Sequence, residues 1–386
     1  MAKTITKLSL VARFWKWIHK LHRFLGLLLA VYILGMGITG GLLSLRQPVD
    51  SILSPTFHRL TPLASNESLT LQQAIDQAMF QMGAVTLNRI VLPQHKDQPL
   101  WMYVTPTDTE NASVLEVSVD PRNGNVLDQR IPKGSFFHVI YELHTEWFIH
   151  RWGKAITGIL ALPTMLLMVT GLMAWWPRGR VRWKTRLSIN RQSSRRMIFD
   201  LHGIVGAVFF LPQMALIISG FGLAFYLQFA ALLQVGITGE NIDPFPRPAI
   251  SDKAHAPLQD YVQAVQTQMP DAYVERIDWP RRDGMPVVVR GKYPDDPFGR
   301  GEILFVMLDW ETARILWTED PRKPRIGLAI MAFTIPIHFG EWGGLPVQLF
   351  YAVLGLLLTS QVISGCWLWY QRKRSSRVKR ESVPRT

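Results

Sequence analysis

Four stretches of the chain carry no charged side chain over lengths that set them apart from the rest. Phe24–Leu45 and Ala155–Trp176 are each 22 residues long, and Gly203–Gly239 and Trp342–Gln371 are longer. An α-helix rises about 1.5 Å per residue, so about 20 apolar residues cross a hydrocarbon core of roughly 30 Å. The pattern predicts four transmembrane helices. Elsewhere the period changes. Leu71–Met79 has the spacing of an amphipathic helix, Arg89–Leu92, Leu100–Thr105 and Ser113–Val119 read as strands, and Asp120–Leu127 reads as a turn into a further strand. Pro257–Met269 repeats the helix, Tyr273–Asp278, Pro286–Arg290 and Ile303–Leu308 repeat the strands, and Asp309–Leu316 repeats the turn.

Charge sharpens this picture into a topology. The chain of 386 residues has 42 Lys and Arg against 29 Asp and Glu, with only 18% charged residues in all. Segments 1–23, 177–197 and 371–386 hold 6, 8 and 7 of the basic residues, with Glu381 as their only acid. Basic loops stay on the cytoplasmic side, so these three segments are read as inside. Segment 46–135 has seven basic residues against nine acids and 227–325 has twelve against fifteen, which places both outside. The excess charge is thus an orientation signal, and without a reading motif it does not indicate a nucleic-acid partner. The first apolar run is too long for a cleavable signal peptide and lacks a small-residue cleavage site, so it is read as an anchor. Trp15, Trp17, Trp175, Trp176, Trp183, Trp367, Trp369 and Tyr370 gather near the inner boundary, as an interfacial belt would. Cys366 is the only cysteine, which excludes an internal disulfide, a cysteine-ligated cluster and a C-x-x-C-H haem attachment.

The chain also repeats itself. Leu21-His22 is followed by Gly26 and, seventeen residues after the histidine, by Thr39-Gly40; Leu201-His202 is followed by Gly206 and Ser219-Gly220 at the same distances. His144 precedes Thr170-Gly171 by 26 residues, as His338 precedes Ser364-Gly365, and Trp175 and Trp369 follow in register. Each half is therefore helix, small α+β module, helix, and the halves form a parallel repeat about an axis along the membrane normal.

Four of ten histidines, His22, His144, His202 and His338, fall at equivalent places of this repeat. A single histidine near a membrane boundary is ordinarily an interfacial or satisfied polar residue; four in register point to a shared role, and histidine is a common axial ligand of haem iron. His22 and His202 lie at the inner ends of outward-running helices and are expected to face each other. His144 is 32 residues before Trp176, about 48 Å along an unbroken helix, and so projects beyond the core on the outer side with His338. Gly26 and Gly206, one turn from their histidines, leave room either for a flat macrocycle or for close helix packing. Phe148 and Trp342 either stack on such a ring or pack at the interface. His19 is the substitute for His22; His138 and His150 point elsewhere, and His58, His95 and His255, without partners in the repeat, are read as surface residues. Closely spaced zinc motifs, phosphate loops, dinucleotide fingerprints and a nucleophile elbow are all missing. Pro336 and Pro346 and the short apolar run 326–340 suggest that His338 sits on a broken, re-entrant segment.

The motifs Leu-His-Arg-Phe-Leu-Gly at 21–26, Arg-Trp-Gly-Lys at 151–154, Trp-Trp-Pro-Arg at 175–178, Asp-Leu-His at 200–202 and Ile-His-Phe-Gly-Glu-Trp-Gly-Gly at 337–344 resemble the PepSY-associated transmembrane family. The outer segments, with Val-Asp-Pro-Arg-Asn-Gly-Asn-Val-Leu at 119–127, resemble PepSY domains; the second departs from that pattern at Trp310-Glu311-Thr312. Within the family the chain is most similar to inner-membrane ferric-siderophore reductases of the FoxB type. That resemblance implies a mainly α membrane protein with two b-type haems. His22 and His202 are then candidate iron ligands of an inner haem, and His144 and His338 of an outer one. Electrons would pass from a quinol or a cytoplasmic reductase to a ferric-siderophore held between the periplasmic modules. Arg23, Arg151, Lys154, Arg195 and Arg196 are candidate propionate partners, or else interfacial charges.

The expected layout is a cytoplasmic 1–23, span 24–45, PepSY-like module 46–135, extended span 136–176, basic loop 177–197, span 198–230, second module 231–325, re-entrant segment and span 326–370, and tail 371–386. It places the chain in the bacterial inner membrane in contact with lipid. Two alternatives remain open: a non-enzymatic sensor or peptidase-modulating membrane protein, and a transporter using the repeat for alternating access.

Overall fold

The computed structural model describes residues 2–60, 69–178, 182–239, 255–280, 285–295, 304–323 and 325–381. Ile303 of the seventh expected strand, residues 179–181 of the basic loop and 382–386 of the tail lie outside the described residues. The chain divides into two compact units, one formed by Met1–Leu45, Ile140–Tyr226 and Ile337–Thr386, the other by Arg46–Val139 and Leu227–Pro336.

The first unit is helical. His150–Trp175 and Gly344–Ser375 are each long and apolar enough to cross a membrane, and two bent pairs qualify when each is taken as one span. These are Leu10–Leu28 with Ala30–Ser44, bent by 64°, and Ser194–Val208 with Phe210–Ala224, bent by 60°. The breaks fall at Leu29 and Phe209, each seven residues after its histidine, so even the bends obey the repeat. Small residues let the helices approach, as in lipid, where packing rather than water exclusion holds helices together. A side chain at Gly37 would meet the carbonyl oxygen of Gly355 at 2.9 Å, and one at Gly158 would meet Ala224 at 2.7 Å. Leu25, Leu29 and Ile33 are buried against Leu160, Leu167 and Leu358. Outward, Val31, Leu211 and Leu356 expose 73, 74 and 68% of their surface. Water would penalise such exposure; hydrocarbon does not.

The extended second helix does not form as the sequence suggested. Phe136–Glu146 ends at Trp147 and Phe148, whose φ angles of 50° and 58° lie in the left-handed region, and His150 adopts 49°. The chain turns there, with Gly153 at the backbone of Glu146, and the helix Gly153–Trp175 follows. His144 therefore does not stand 48 Å along an unbroken helix. The second half breaks similarly but with glycines: Thr334–Phe339 ends at Gly340 (φ 69°), and Gly344 (φ 59°) opens the final helix. The broken segment expected around His338 is thus present in both halves. The third uncharged run also divides, since Tyr226–Thr238 forms a helix of its own.

The second unit is an antiparallel sheet with helices Leu71–Met82 and Leu258–Gln268 packed on one face. The strands are β1 Val85–Val91, β2 Leu100–Pro106, β3 Leu115–Val119, β4 Val126–Arg130, β5 Tyr273–Asp278, β6 Val287–Lys292, β7 Leu304–Leu308 and β8 Ile315–Glu319. Their order is β4-β3-β2-β1-β5-β6-β7-β8. The two segments read from sequence as separate modules thus form one continuous sheet, joined where Ile90 pairs with Ile277. Alternate residues of each strand, such as Ile90, Met102, Val117, Ile277, Val289 and Val306, are buried in one core with Ile75 and Ala78 of helix Leu71–Met82 and Tyr261 and Val265 of helix Leu258–Gln268. A capping box between Thr70 and Gln73 starts the first of these helices.

The two β-turns that differ in sequence agree in structure. Gly124 N–H donates to the Asp120 carbonyl at 2.8 Å, and Ala313 N–H donates to the Asp309 carbonyl at 3.0 Å. In both, the aspartate carboxylate accepts backbone N–H groups of the turn, so the shared aspartate carries the conformation and Trp310-Glu311-Thr312 does not alter it.

On the opposite face of β2–β4 the segment Arg46–His58 is clasped by a polar network. Phe57 offers its carbonyl to Trp101 Nε1 and Ser118 Oγ. Arg130 forks onto Asp50 at 2.9 Å through both terminal nitrogens and reaches Glu116 at 2.7 Å. His58 pairs with Asp50 at 3.0 Å and lies edge-on to Trp101, and His255 lies edge-on to Trp279 and Trp310. Both were expected at the surface; His255 is exposed there, whereas His58 is half-buried beside Trp101 and Phe57.

Candidate functional site

The helical unit brings the four repeated histidines together as two pairs. The ring centres of His22 and His202 are 6.4 Å apart, and those of His144 and His338 are 6.1 Å apart. All four rings are half-buried. No hydrogen bond joins the members of either pair among the described residues.

What holds each ring is the Ser/Thr-Gly dipeptide that the repeat had placed in a neighbouring helix. His144 Nδ1 lies 2.8 Å from Thr39 Oγ1, and His202 Nδ1 lies 2.8 Å from Ser364 Oγ. His338 Nδ1 lies 3.2 Å from Ser219 Oγ and 3.1 Å from the Leu216 carbonyl. His22 Nδ1 lies 3.1 Å from the Leu167 carbonyl and 3.4 Å from Thr170 Oγ1. The glycine of each dipeptide is the floor of the seat. A side chain there would meet the ring's Cε1 at 3.1 Å from Gly40, 2.8 Å from Gly171, 2.9 Å from Gly220 and 3.3 Å from Gly365.

These hydrogen bonds fix the tautomer. A hydroxyl has one proton to give. Thr39 gives its proton to the Gly35 carbonyl at 2.6 Å, and Ser364 gives its proton to the Ser360 carbonyl at 2.7 Å. Thr170 and Ser219 donate to the Leu167 and Leu216 carbonyls at 2.8 and 3.1 Å. Every hydroxyl can therefore only accept from its histidine, so Nδ1 carries the ring hydrogen. Nε2 keeps its lone pair and has no protein partner among the described residues. Ring nitrogens oriented through the opposite N–H are what a metal ligand requires.

The pair spacing fits a shared metal. A metal–imidazole bond of about 2 Å on each side, with about 1 Å from each nitrogen to its ring centre, separates two ring centres by roughly 6 Å. Among the described residues no group of three or more His, Cys, Asp or Glu could enclose an ion. The donor set is two neutral imidazoles, which leaves the plane between them for a ligand of another kind.

The other candidate residues fall around these pairs. Gly26 faces only the tip of Leu167 at 3.7 Å, and Gly206 faces the Gln361 amide oxygen at 3.2 Å, so neither is the seat of a histidine. Phe148 and Trp342 lie at the two chain breaks and are 48 and 54% exposed. His19 is exposed, with Nδ1 on the Trp15 carbonyl. Arg23 Nε donates to the His19 carbonyl at 3.0 Å, and Arg195 reaches Ser375 at 3.4 Å. Lys154 pairs with Glu146 at 3.5 Å, Arg196 pairs with Asp200 at 3.1 Å, and Arg151 lies over Trp152. Sequence reading recorded Thr39, Thr170, Ser219 and Ser364 with their glycines only as markers of the repeat; their common spacing from the histidines was the signal of their role.

The profile of one family, described as the PepSY-associated TM region, matches residues 19–372. The chain belongs to that family. The match begins just before His22 and ends beyond the final apolar run, so it takes in both histidine pairs, all four dipeptide seats and the sheet. A comparison with curated proteins finds no match. This PepSY-associated protein is therefore a membrane protein, mainly helical, with two to four candidate spans and an antiparallel sheet.

Proposed function

We propose that this chain holds two b-type haems, one between His22 and His202 and the other between His144 and His338, and reduces ferric-siderophores with them. The observation that supports the reading is the free Nε2 lone pair on each of four histidines, set in two pairs at the spacing of a shared iron. When bound, haem supplies one-electron exchange at its iron, with a potential set by axial ligands and burial. The residues of this chain hold and orient. Thr39, Thr170, Ser219 and Ser364 keep Nδ1 protonated and the rings in plane, the four adjacent glycines let the rings lie flat on a neighbouring helix, and the apolar packing keeps water from the pairs. Arg151, over the Trp152 ring, and Arg195, on Ser375 Oγ, are candidate partners for the carboxylates of such a group.

In the proposed arrangement each bent pair is one span, giving four. The three basic segments and both termini lie in the cytoplasm of a bacterium, the sheet lies in the periplasm, and the exposed leucines and valines contact inner-membrane lipid. The His22–His202 pair is then nearer the electron donor and the His144–His338 pair nearer the chelate. Each ferric ion takes one electron. A membrane quinol gives up two electrons and two protons, so one quinol serves two ferric ions. Oxygen-rich chelators hold ferrous iron far less well than ferric iron, and reduction frees the metal.

An absorbance spectrum of the detergent-purified protein before and after dithionite tests this reading. The expected result is an intense Soret band with sharpened bands on reduction, reversed when a ferric chelate is added without oxygen. A colourless protein would contradict it.

A further inference from the structure

One helix of the sheet-bearing unit is built inside out. Tyr226–Thr238 is uncharged over its 13 residues and, at about 1.5 Å per residue, too short to cross a hydrocarbon core. Its buried residues are Ala230 and Gln234, while Leu227, Leu232, Val235 and Ile237 expose 55, 64, 44 and 57% of their surface. Gln228 and Thr238, toward its two ends, are its only exposed polar side chains. The amide of Gln234 is engaged inward: Oε1 accepts the Gly327 N–H at 3.1 Å, and Nε2 donates to Thr238 Oγ1 at 3.1 Å. Gly327 stands in the first turn of the helix Ile326–Ala332, and a side chain there would strike the Ala230 carbonyl. The two helices therefore pack through small residues, as helices do in lipid. In the second helix Gly327 and Met331 are buried, whereas Ile326 and Ile330, one turn apart, are 38 and 41% exposed. A helix at a water-facing surface turns its polar residues out and its apolar ones in. Tyr226–Thr238 does the reverse, and its partner is apolar on both faces.

The path of the chain indicates what covers these faces. Phe210–Ala224, taken with Ser194–Val208, is long and apolar enough to be a membrane span, and the single residue Phe225 separates it from Tyr226. The short helix thus starts where a span ends. Tyr226 follows Arg46 by the same 180 residues that separate His202 from His22, so Arg46–Leu53 is its counterpart in the first half. That counterpart carries Arg46 and Asp50, and Asp50 is paired with Arg130 of the sheet. At the same place of the repeat the second half is uncharged. We infer that Tyr226–Thr238 and Ile326–Ala332 lie in the bilayer surface, with Leu232 and Val235 among the acyl chains, and tether the sheet-bearing unit to lipid. These two residues are on the side of the helix away from Ala230 and Gln234. In hydrocarbon an exposed leucine needs no protein partner, so lipid covers the face without a second copy of the chain. The tether presupposes that the bent pair is one span; haem and iron play no part in it.

The test is electron paramagnetic resonance of nitroxides placed at Leu232→Cys and at Val235→Cys in the full-length Cys366→Ala protein, reconstituted into vesicles of phosphatidylcholine and phosphatidylglycerol. Both side chains are exposed, so neither exchange removes a buried contact. A third nitroxide at Gln263→Cys, exposed on helix Leu258–Gln268, marks the water-facing behaviour. Oxygen concentrates among acyl chains, whereas a chelated nickel complex stays in water. The expected result is that the labels at 232 and 235 favour oxygen over the nickel complex about threefold or more relative to the label at 263. Nickel access at 232 and 235 equal to that at 263 would show a water-facing helix and overturn the inference. Exclusion of both reagents, with spin–spin broadening between labels, would show a second copy on this face and overturn it equally. The readout needs no electron transfer, so its failure is separable from failure of the reductase reading.

Discussion

His22 and His202, separated by nearly half the chain, face each other with ring centres 6.4 Å apart, and neither is held by the other. Each is held by a hydroxyl and a glycine on another helix: His22 by Gly153–Trp175, His202 by the final helix that begins at Gly344. The second pair inverts the arrangement, with Thr39-Gly40 of Ala30–Ser44 under His144 and Ser219-Gly220 of Phe210–Ala224 under His338.

The anchors are not equivalent, and their loss should separate them. His144 rests on a single hydroxyl at 2.8 Å, whereas His22 and His338 retain the Leu167 and Leu216 carbonyls at 3.1 Å and His202 has the Gln361 backbone beside its hydroxyl. Thr39→Val should weaken haem retention about 10- to 100-fold, the usual range for losing the partner of a metal-binding histidine. Thr170→Val, Ser219→Ala and Ser364→Ala should have the smaller effect. Haem content after competition with an apo-haem acceptor measures both.

The glycines should divide in the same way. Gly171→Ala would bring a methyl to 2.8 Å from His22 Cε1 and push the ring from its seat, while Gly26→Ala would meet only a flexible leucine tip at 3.7 Å. Gly171→Ala should lower haem content at the first pair and leave the second intact. Gly26→Ala should retain both, as read from the absorbance spectrum.

How much of this was legible depends on range. The apolar runs, the sheet segments and the equivalence of the four histidines follow from local period and spacing, and Tyr273–Asp278 forms as read. The break at Trp147 and Phe148 was not legible, because large non-glycine residues in the left-handed region persist only where surrounding contacts impose them. In its counterpart Pro336, Pro346 and the short apolar run before them gave the break away. The joining of two modules through Ile90 and Ile277 depends on pairing between distant strands, which no local pattern specifies.

That asymmetry suggests a stabilising change. His150 (φ 49°) occupies in the first half the place of Gly344 (φ 59°) in the second. A non-glycine residue in this region costs roughly 1 to 2 kcal/mol. His150→Gly should relieve part of that strain and raise the melting temperature in detergent; an unchanged or lower value would show that the exposed imidazole contributes more than its backbone costs.

The network at Asp50 should show itself in acid. Burial favours the neutral carboxyl, but hydrogen bonds from Arg130 and His58 outweigh it and hold Asp50 below the usual carboxylate range. A lowered carboxylate contributes stability that is complete above its unfolded value, near 4, and is lost as pH falls through the folded one. Asp50→Asn should therefore cost about 1 to 3 kcal/mol at neutral pH, and the difference from the unmodified protein should shrink in strong acid. Thermal melts of both proteins across the acidic range check the sign.

The central claim is that the four histidines form two independent haem sites, and haem stoichiometry tests it most directly. Counted per polypeptide by the pyridine haemochromogen spectrum, the unmodified protein should hold two haems, His202→Ala should hold one, and His338→Ala should hold the other. Two haems in either variant, or none in the unmodified protein, would contradict the account.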